Sequence, residues 1–150
     1  MRRALLVLTL VATGCTYRWR SEADCVAVNV PSAVRALPAI RALADPPPAT
    51  LESGFVLCST HEGRLAAAIE ALGAEGYSSY LGAAEVGKCL RVARTHEASA
   101  EAMAREVGAM CRIAAASRIA YGHWQTEVGG RSVVLSGDRL IIDGERRRLD

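Results

Sequence analysis

The sequence predicts an α+β domain, a ferredoxin-like βαββαβ sandwich with an N-terminal extension and a C-terminal β-hairpin. Three observations predict it. Two alanine-rich stretches, 61–75 and 97–114, carry apolar residues at helical spacing. Short apolar or alternating runs at 55–59, 77–81, 88–95 and 118–128 surround them, in the order strand, helix, strand, strand, helix, strand. Beyond Gly129-Gly130, the runs 132–135 and 139–142 flank Ser136-Gly137-Asp138, which is a hairpin signal.

In chain order, residues 16–23 are polar and read as a tether. Small apolar residues from Cys25 to Val30, interrupted by Asn29, suggest a strand. Residues 32–44 read as a short helix, with Val34, Leu37, Ile40 and Leu43 on a narrow stripe. Pro38 inside it predicts a kink or two separate turns. Asp45-Pro46-Pro47-Pro48 then forms a stiff spacer. In the helix over 61–75, Leu65, Ile69 and Leu72 share a face, and Gly76 is placed to stop it. Over 88–95, Cys89, Arg91 and Ala93 alternate with Leu90 and Val92. The helix over 97–114 is the most regular, with Met103, Val107, Met110 and Cys111 on one side.

The N-terminus has its own pattern. Arg2 and Arg3 precede an apolar run, then Thr13, Gly14 and Cys15, which is the plan of a secretory signal peptide. The run falls well short of the ~20 residues a spanning helix needs. Ala12-Thr13-Gly14-Cys15 resembles the lipobox of bacterial lipoproteins, with Ala12 where that family most often has leucine. The resemblance implies cleavage after residue 14 and a diacylglycerol on Cys15, which anchors the chain to a membrane. Thr16 in place of aspartate after that cysteine implies sorting to the outer membrane, facing the periplasm. The expected organisation is therefore a signal peptide over 1–14, a lipidated tether and extension over 15–53, a core domain over 54–128, and a hairpin and tail over 129–150.

Charge narrows the function. The chain has 18 basic and 16 acidic residues, and losing Arg2 and Arg3 balances them. A nucleic-acid binder needs basic charge gathered on one face, so no nucleic-acid partner is expected. Arg146-Arg147-Arg148 reads as a solvated tail. Cys25, Cys58, Cys89 and Cys111 follow the lipidation site, and an even number in an oxidising compartment suggests two disulfides with three pairings open. The competing reading makes some of them small buried apolar residues. Cys58 and His61 have metal-like spacing without a second pair, so no metal site is expected. No Ser-His-Asp order, paired carboxylates or phosphate loop is present, so neither an enzyme nor a cofactor is expected.

Residues 54–128 resemble the RraB family, which includes a protein inhibitor of ribonuclease E. Three segments carry the resemblance: Ala71-Leu72-Gly73-Ala74-Glu75-Gly76-Tyr77, then Leu90-Arg91-Val92-Ala93-Arg94-Thr95 running into the 97–107 helix, and Tyr121-Gly122-His123-Trp124-Gln125-Thr126. The last is similar to the family's Tyr-Asp-Gly-Trp-x-Thr signature, with Gly122 in place of Asp and His123 in place of Gly. It implies a non-catalytic protein-binding or regulatory domain, with Tyr121, Trp124 and Thr126 as candidate partner-binding residues. Core packing is the competing role for the two aromatics. A lipid-anchored chain cannot reach a cytoplasmic ribonuclease, so the expected partner is another envelope protein. Two alternatives stand beside it. One is a SPOR-like peptidoglycan-binding lipoprotein, since SPOR domains share this order of elements and Leu90-Arg91-Val92 is similar to one of their strands. The other is a cytoplasmic ribonuclease E inhibitor, should the signal peptide go unused.

Overall fold

The computed structural model describes residues 18–83 and 87–149. The expected signal peptide and the lipidation site Cys15 lie outside the described residues. Among the described residues three helices and seven strands follow one another as α1 (Glu22–Arg41), β1 (Thr50–Ser59), α2 (Glu62–Ala74), β2 (Ser78–Ala83), β3 (Lys88–Glu97), α3 (Ala100–Ser117), β4 (Ala120–Val128), β5 (Arg131–Ser136), β6 (Arg139–Ile142) and β7 (Glu145–Arg148). The strands form one antiparallel sheet in the order β2-β3-β1-β4-β5-β6-β7. The chain class is thus α+β, as the element pattern predicts.

Local chemistry sets the helix ends. Ser21 caps α1 by accepting a hydrogen bond from the Asp24 amide, and Ser99 caps α3 by accepting one from Ala102. At the end of α2, Gly76 takes φ +78°, and the Tyr77 amide reaches back to the Leu72 carbonyl. Only glycine adopts that conformation without strain, which is why the helix stops there.

The extension before β1 departs from expectation. Residues 25–30, read as a strand, belong to α1, and the helix continues through both Pro31 and Pro38. The two prolines are seven residues apart, so they share one face, and both are exposed. The carbonyls they leave without an intrahelical partner therefore lie towards the exposed side, where solvent can satisfy them at little cost. On the opposite face Cys25, Ala33, Ala36, Leu37 and Ile40 are buried against the rest of the fold.

Strand β1 begins at Thr50, earlier than its apolar run suggests. Its first half alternates, with Leu51 and Ser53 buried and Thr50 and Glu52 exposed, and pairs with β3 from Thr50↔Glu97 to Ser59↔Lys88. Arg146-Arg147-Arg148, read as a solvated tail, lies in β7 and pairs with β6 while staying exposed. Arginines on the last strand oppose pairing with another chain along this edge.

All three helices lie on one side of the sheet. Helix α2 packs over β1, β2 and β3, α3 over β3 and β4, and α1 over β4 and β5, beside α3. One apolar core fills the space between. Ala33, Leu37 and Ile40 of α1 and Val133, Leu135, Leu140 and Ile142 of β5 and β6 belong to the same cluster as Phe55, Leu57, Leu90, Met103 and Trp124. The segments on either side of 54–128 are therefore parts of one packed body, and burial of each large aliphatic side chain stabilises it by roughly 1.5–3 kcal/mol.

Both disulfides are formed. Cys25–Cys111 joins α1 to α3, and Cys58–Cys89 joins directly opposed residues of β1 and β3.

Candidate partner-binding face

Side chains alternate across a strand, so the residues between the core positions project from the sheet's other face. No described helix covers that face. Cross-strand pairing places its residues in rows. One row runs Tyr80, Arg91, Val56, His123 across β2, β3, β1 and β4. The next runs Ser78, Ala93, Gly54, Gln125, Val134, Ile141 and Arg146, crossing the whole sheet. Val56 of the first row makes a small apolar cluster on this face with Cys58 and Cys89 of the row beyond it.

The small residues Gly54 and Ala93 sink the middle of the second row. A trough of about 410 Å³ results, walled by Tyr80, Arg91, Glu52, Gln125 and Glu127. Tyr80 is 63% exposed, far more than an aromatic that serves only the core. The Gln125 side chain lies over Gly54, where a Cβ would stand 3.0 Å from its Cγ. His123 beside it donates from Nε2 to the Gln125 amide oxygen at 3.2 Å, the only role that oxygen leaves to the ring nitrogen. Burial, assisted by the charge of Arg91, holds the His123 imidazole below the ordinary histidine value, against the hydrogen bond to Gln125.

That shift gives a pH dependence with a definite sign. The unfolded chain protonates His123 near 6.5, whereas the folded protein resists protonation to lower pH. In that window the unfolded state binds more protons, so stability contributed by neutral His123 is complete above it and falls as pH drops through it. Thermal unfolding of wild type and His123→Gln between pH 7.5 and 5 tests this. The wild type is expected to lose more stability on acidification than the variant, and parallel curves would rule out the assignment.

Beneath the trough lies a closed polar chain. The Trp124 indole N–H donates to Ser53 Oγ at 2.8 Å, and Ser53 Oγ stands 2.7 Å from His96 Nε2. His96 Nδ1 is 2.7 Å from the Glu97 carbonyl, which can only accept, so Nδ1 carries the proton and Nε2 accepts from the Ser53 hydroxyl. Every polar atom in this chain has a partner. The network holds β1, β3 and β4 in register under the trough.

At the other end of the helix layer, the buried Glu106 carboxylate accepts a 2.6 Å hydrogen bond from the Tyr77 hydroxyl. Arg105 at 3.3 Å and Arg94 at 3.7 Å balance its charge, and Arg94 also stacks over the Tyr77 ring. Burial and the neighbouring carboxylate push the Tyr77 phenol up, so it stays a hydrogen-bond donor. This cluster ties α3 to β3 and to the end of α2.

The residues singled out in the closing strand do not form one surface. Trp124 is 0% exposed and belongs to the core, so its side chain presents no surface for direct contact. Thr126 is buried at the margin of the trough and donates to the Glu52 carbonyl at 2.7 Å. Tyr121 faces the helix side, because the register shifts between Val56 and Leu57 and Gly122 takes up the irregularity. A Cβ on Gly122 would come within 3.0 Å of the Val56 carbonyl oxygen, so the aspartate that the RraB signature has here would crowd that carbonyl.

His61, Glu62 and Arg91 are engaged separately. Glu62 bonds Lys88 at 2.6 Å, the His61 amide bonds Ser59 Oγ, and Arg91 lies on the open face. Among the described residues no three His, Cys, Asp or Glu side chains are grouped to hold a metal ion, and no helix is long and apolar enough to cross a membrane. Sequence reading passed over Tyr80 and Gln125. The available signal was the alternation within 78–83 and 120–128, which puts each of them on the face opposite the core. No family model, no curated protein and no solved structure matches this chain.

Proposed function

We propose that this chain is a lipid-anchored envelope protein whose non-catalytic, RraB-like domain binds another envelope protein through the open face of its sheet. The observation that carries the reading is the one-sided helix layer. It leaves a sheet face that no described helix covers, with a trough that Tyr80 and Arg91 line. Tyrosine and arginine are the residues that most often anchor protein interfaces. The strand order β2-β3-β1-β4, with α2 and α3 on one side, supports a ferredoxin-like core within the larger sheet. Two formed disulfides accord with an oxidising periplasm and with anchoring through Cys15 at the outer membrane.

Two experiments test it. Fractionation and intact mass of wild type and Cys15→Ser address the anchor: an acylated membrane protein and a released variant are expected. Soluble, unprocessed protein in both cases would move the reading to a cytoplasmic ribonuclease E inhibitor. A photo-crosslinking residue at position 80 addresses the face, with one at exposed Gly73 on α2 as control. One defined adduct from position 80 and none from 73 is expected. Once the partner is in hand, Tyr80→Ala and Arg91→Ala should each weaken binding about tenfold or more, the loss typical of interface anchors. Unchanged affinity in both would remove the open face as the docking surface.

The trough also favours a second reading, a SPOR-like binder of peptidoglycan glycan. An exposed aromatic beside amide, carboxylate and guanidinium groups suits a sugar ring with its hydroxyls. Co-sedimentation with purified cell-wall sacculi that Tyr80→Ala abolishes would favour it, and no co-sedimentation would remove it.

A further inference from the structure

A second cavity, of about 310 Å³, opens on the helix side, away from the trough. The start of α1, the end of α3, the start of β4 and the β5–β6 turn enclose it. Arg18, Arg20 and Arg139 line it, against the single carboxylate of Asp138. Glu22 and Asp24, in the first turn of α1, do not line it. The Cys25–Cys111 disulfide forms part of its wall and fixes α1 against α3.

Tyr121 lines the cavity, and its hydroxyl makes no hydrogen bond to any described residue. Among the described residues no fully enclosed polar side-chain atom lacks a partner, so this hydroxyl borders the cavity space. Burial raises the Tyr121 phenol above its ordinary value, which keeps it a donor. The cavity thus offers guanidinium groups and a spare hydroxyl donor, a set that suits a phosphate. Arg139 also borders a shallow groove with Arg146, Arg147, Arg148 and the one carboxylate of Asp138, so net positive charge extends from the cavity mouth along the sheet edge.

We propose that this cavity seats the phosphate of an anionic phospholipid headgroup in the membrane that anchors the chain. The inference rests on lipid attachment at Cys15. Arg18 is three residue steps beyond Cys15, and a chain spans at most about 3.6 Å per step, or about 11 Å in all. A lipid on Cys15 therefore holds Arg18, and the cavity it lines, within reach of the headgroup layer. Basic residues held so close to a membrane interact with its anionic lipids. With this end down, the domain is oriented on the membrane while the sheet's open face stays available to a partner.

The test uses the acylated protein in nanodiscs of phosphatidylcholine alone or mixed with phosphatidylglycerol. Intact mass comes first: a missing acyl group on Cys15 removes the anchor, and this proposal with it. With the anchor present, hydrogen exchange is compared across residues 20–29, 119–123 and 136–140. Several-fold slower exchange in the phosphatidylglycerol discs is expected. It should disappear in Arg20→Glu/Arg139→Glu, two exposed positions whose replacement leaves the melting temperature unchanged. Equal exchange in the two kinds of disc, with the acyl group in place, overturns the proposal and leaves the anchor standing. Equal protection by inorganic phosphate in phosphatidylcholine discs also overturns it, because the cavity would then be a site for soluble phosphate.

Discussion

Replacing Cys25 and Cys111 together by serine will lower the free energy of unfolding by about 4–5 kcal/mol, more than any other pair of serine substitutions in the domain. This bridge closes a loop with a sequence separation of 86. A cross-link restricts the unfolded chain more as the loop it closes lengthens, and the logarithmic law gives about 4.6 kcal/mol here. Cys58–Cys89, with a separation of 31, should give about 3.7 kcal/mol by the same law. Urea unfolding of the two double variants measures both losses. The decisive result is their order: a larger loss from Cys58→Ser/Cys89→Ser would show that loop closure is not the main contribution. Helix α1 should stay docked without its bridge, since Ala33, Ala36, Leu37 and Ile40 remain in the core. Hydrogen exchange would then rise mainly in the first turns of α1, next to the cavity that the bridge helps to wall.

Ser53→Ala should cost about 2–4 kcal/mol, although it removes a single oxygen. That hydroxyl serves two buried partners, accepting from the Trp124 indole and donating to His96 Nε2. Its loss leaves a donor and an acceptor enclosed without partners, and each such group costs about 1–3 kcal/mol. Trp124→Phe removes the indole N–H and leaves a small void, so it also destabilises. The double variant should lose clearly less than the sum of the two single losses, with a coupling of about 1 kcal/mol or more, because each substitution removes a group the other leaves stranded. Strict additivity would mean that the hydrogen bond contributes little. Since the chain underlies the trough, Ser53→Ala should also weaken partner binding without altering any exposed side chain.

The course of α1 and the roles of the closing strand show how far local pattern reaches. Helices α2 and α3 were legible because Leu65 and Leu72, and Met103, Val107 and Met110, recur at helical spacing and face one core. Strand β3 was legible because Leu90 and Val92 alternate with Arg91 and Ala93. Residues 25–30 misled because β-branched valines favour extended chain locally, whereas packing on α3 and the bridge to Cys111 favour helix. Tyr121 and Trp124 resemble each other in sequence, being aromatics three residues apart on one strand. The register shift at Gly122 sends one to the cavity and the other into the core. Such a shift depends on the facing strand and leaves no mark in the strand's own periodicity.

By itself, the sequence determined the α+β class, the order of strands and helices through the central segment, a small net charge of +2, and the presence of enough cysteines for two bridges. These follow from composition and from the repeats of 2 and 3.6 residues, which neighbouring residues impose on each other. Only the tertiary structure decided which cysteines pair, that α1 and the last strands complete a single core, which closing-strand residue is enclosed, and that Tyr80, Arg91 and Gln125 border one trough. Each of these joins residues distant along the chain. Their juxtaposition is set by how the sheet and helices pack, and no local repeat encodes it.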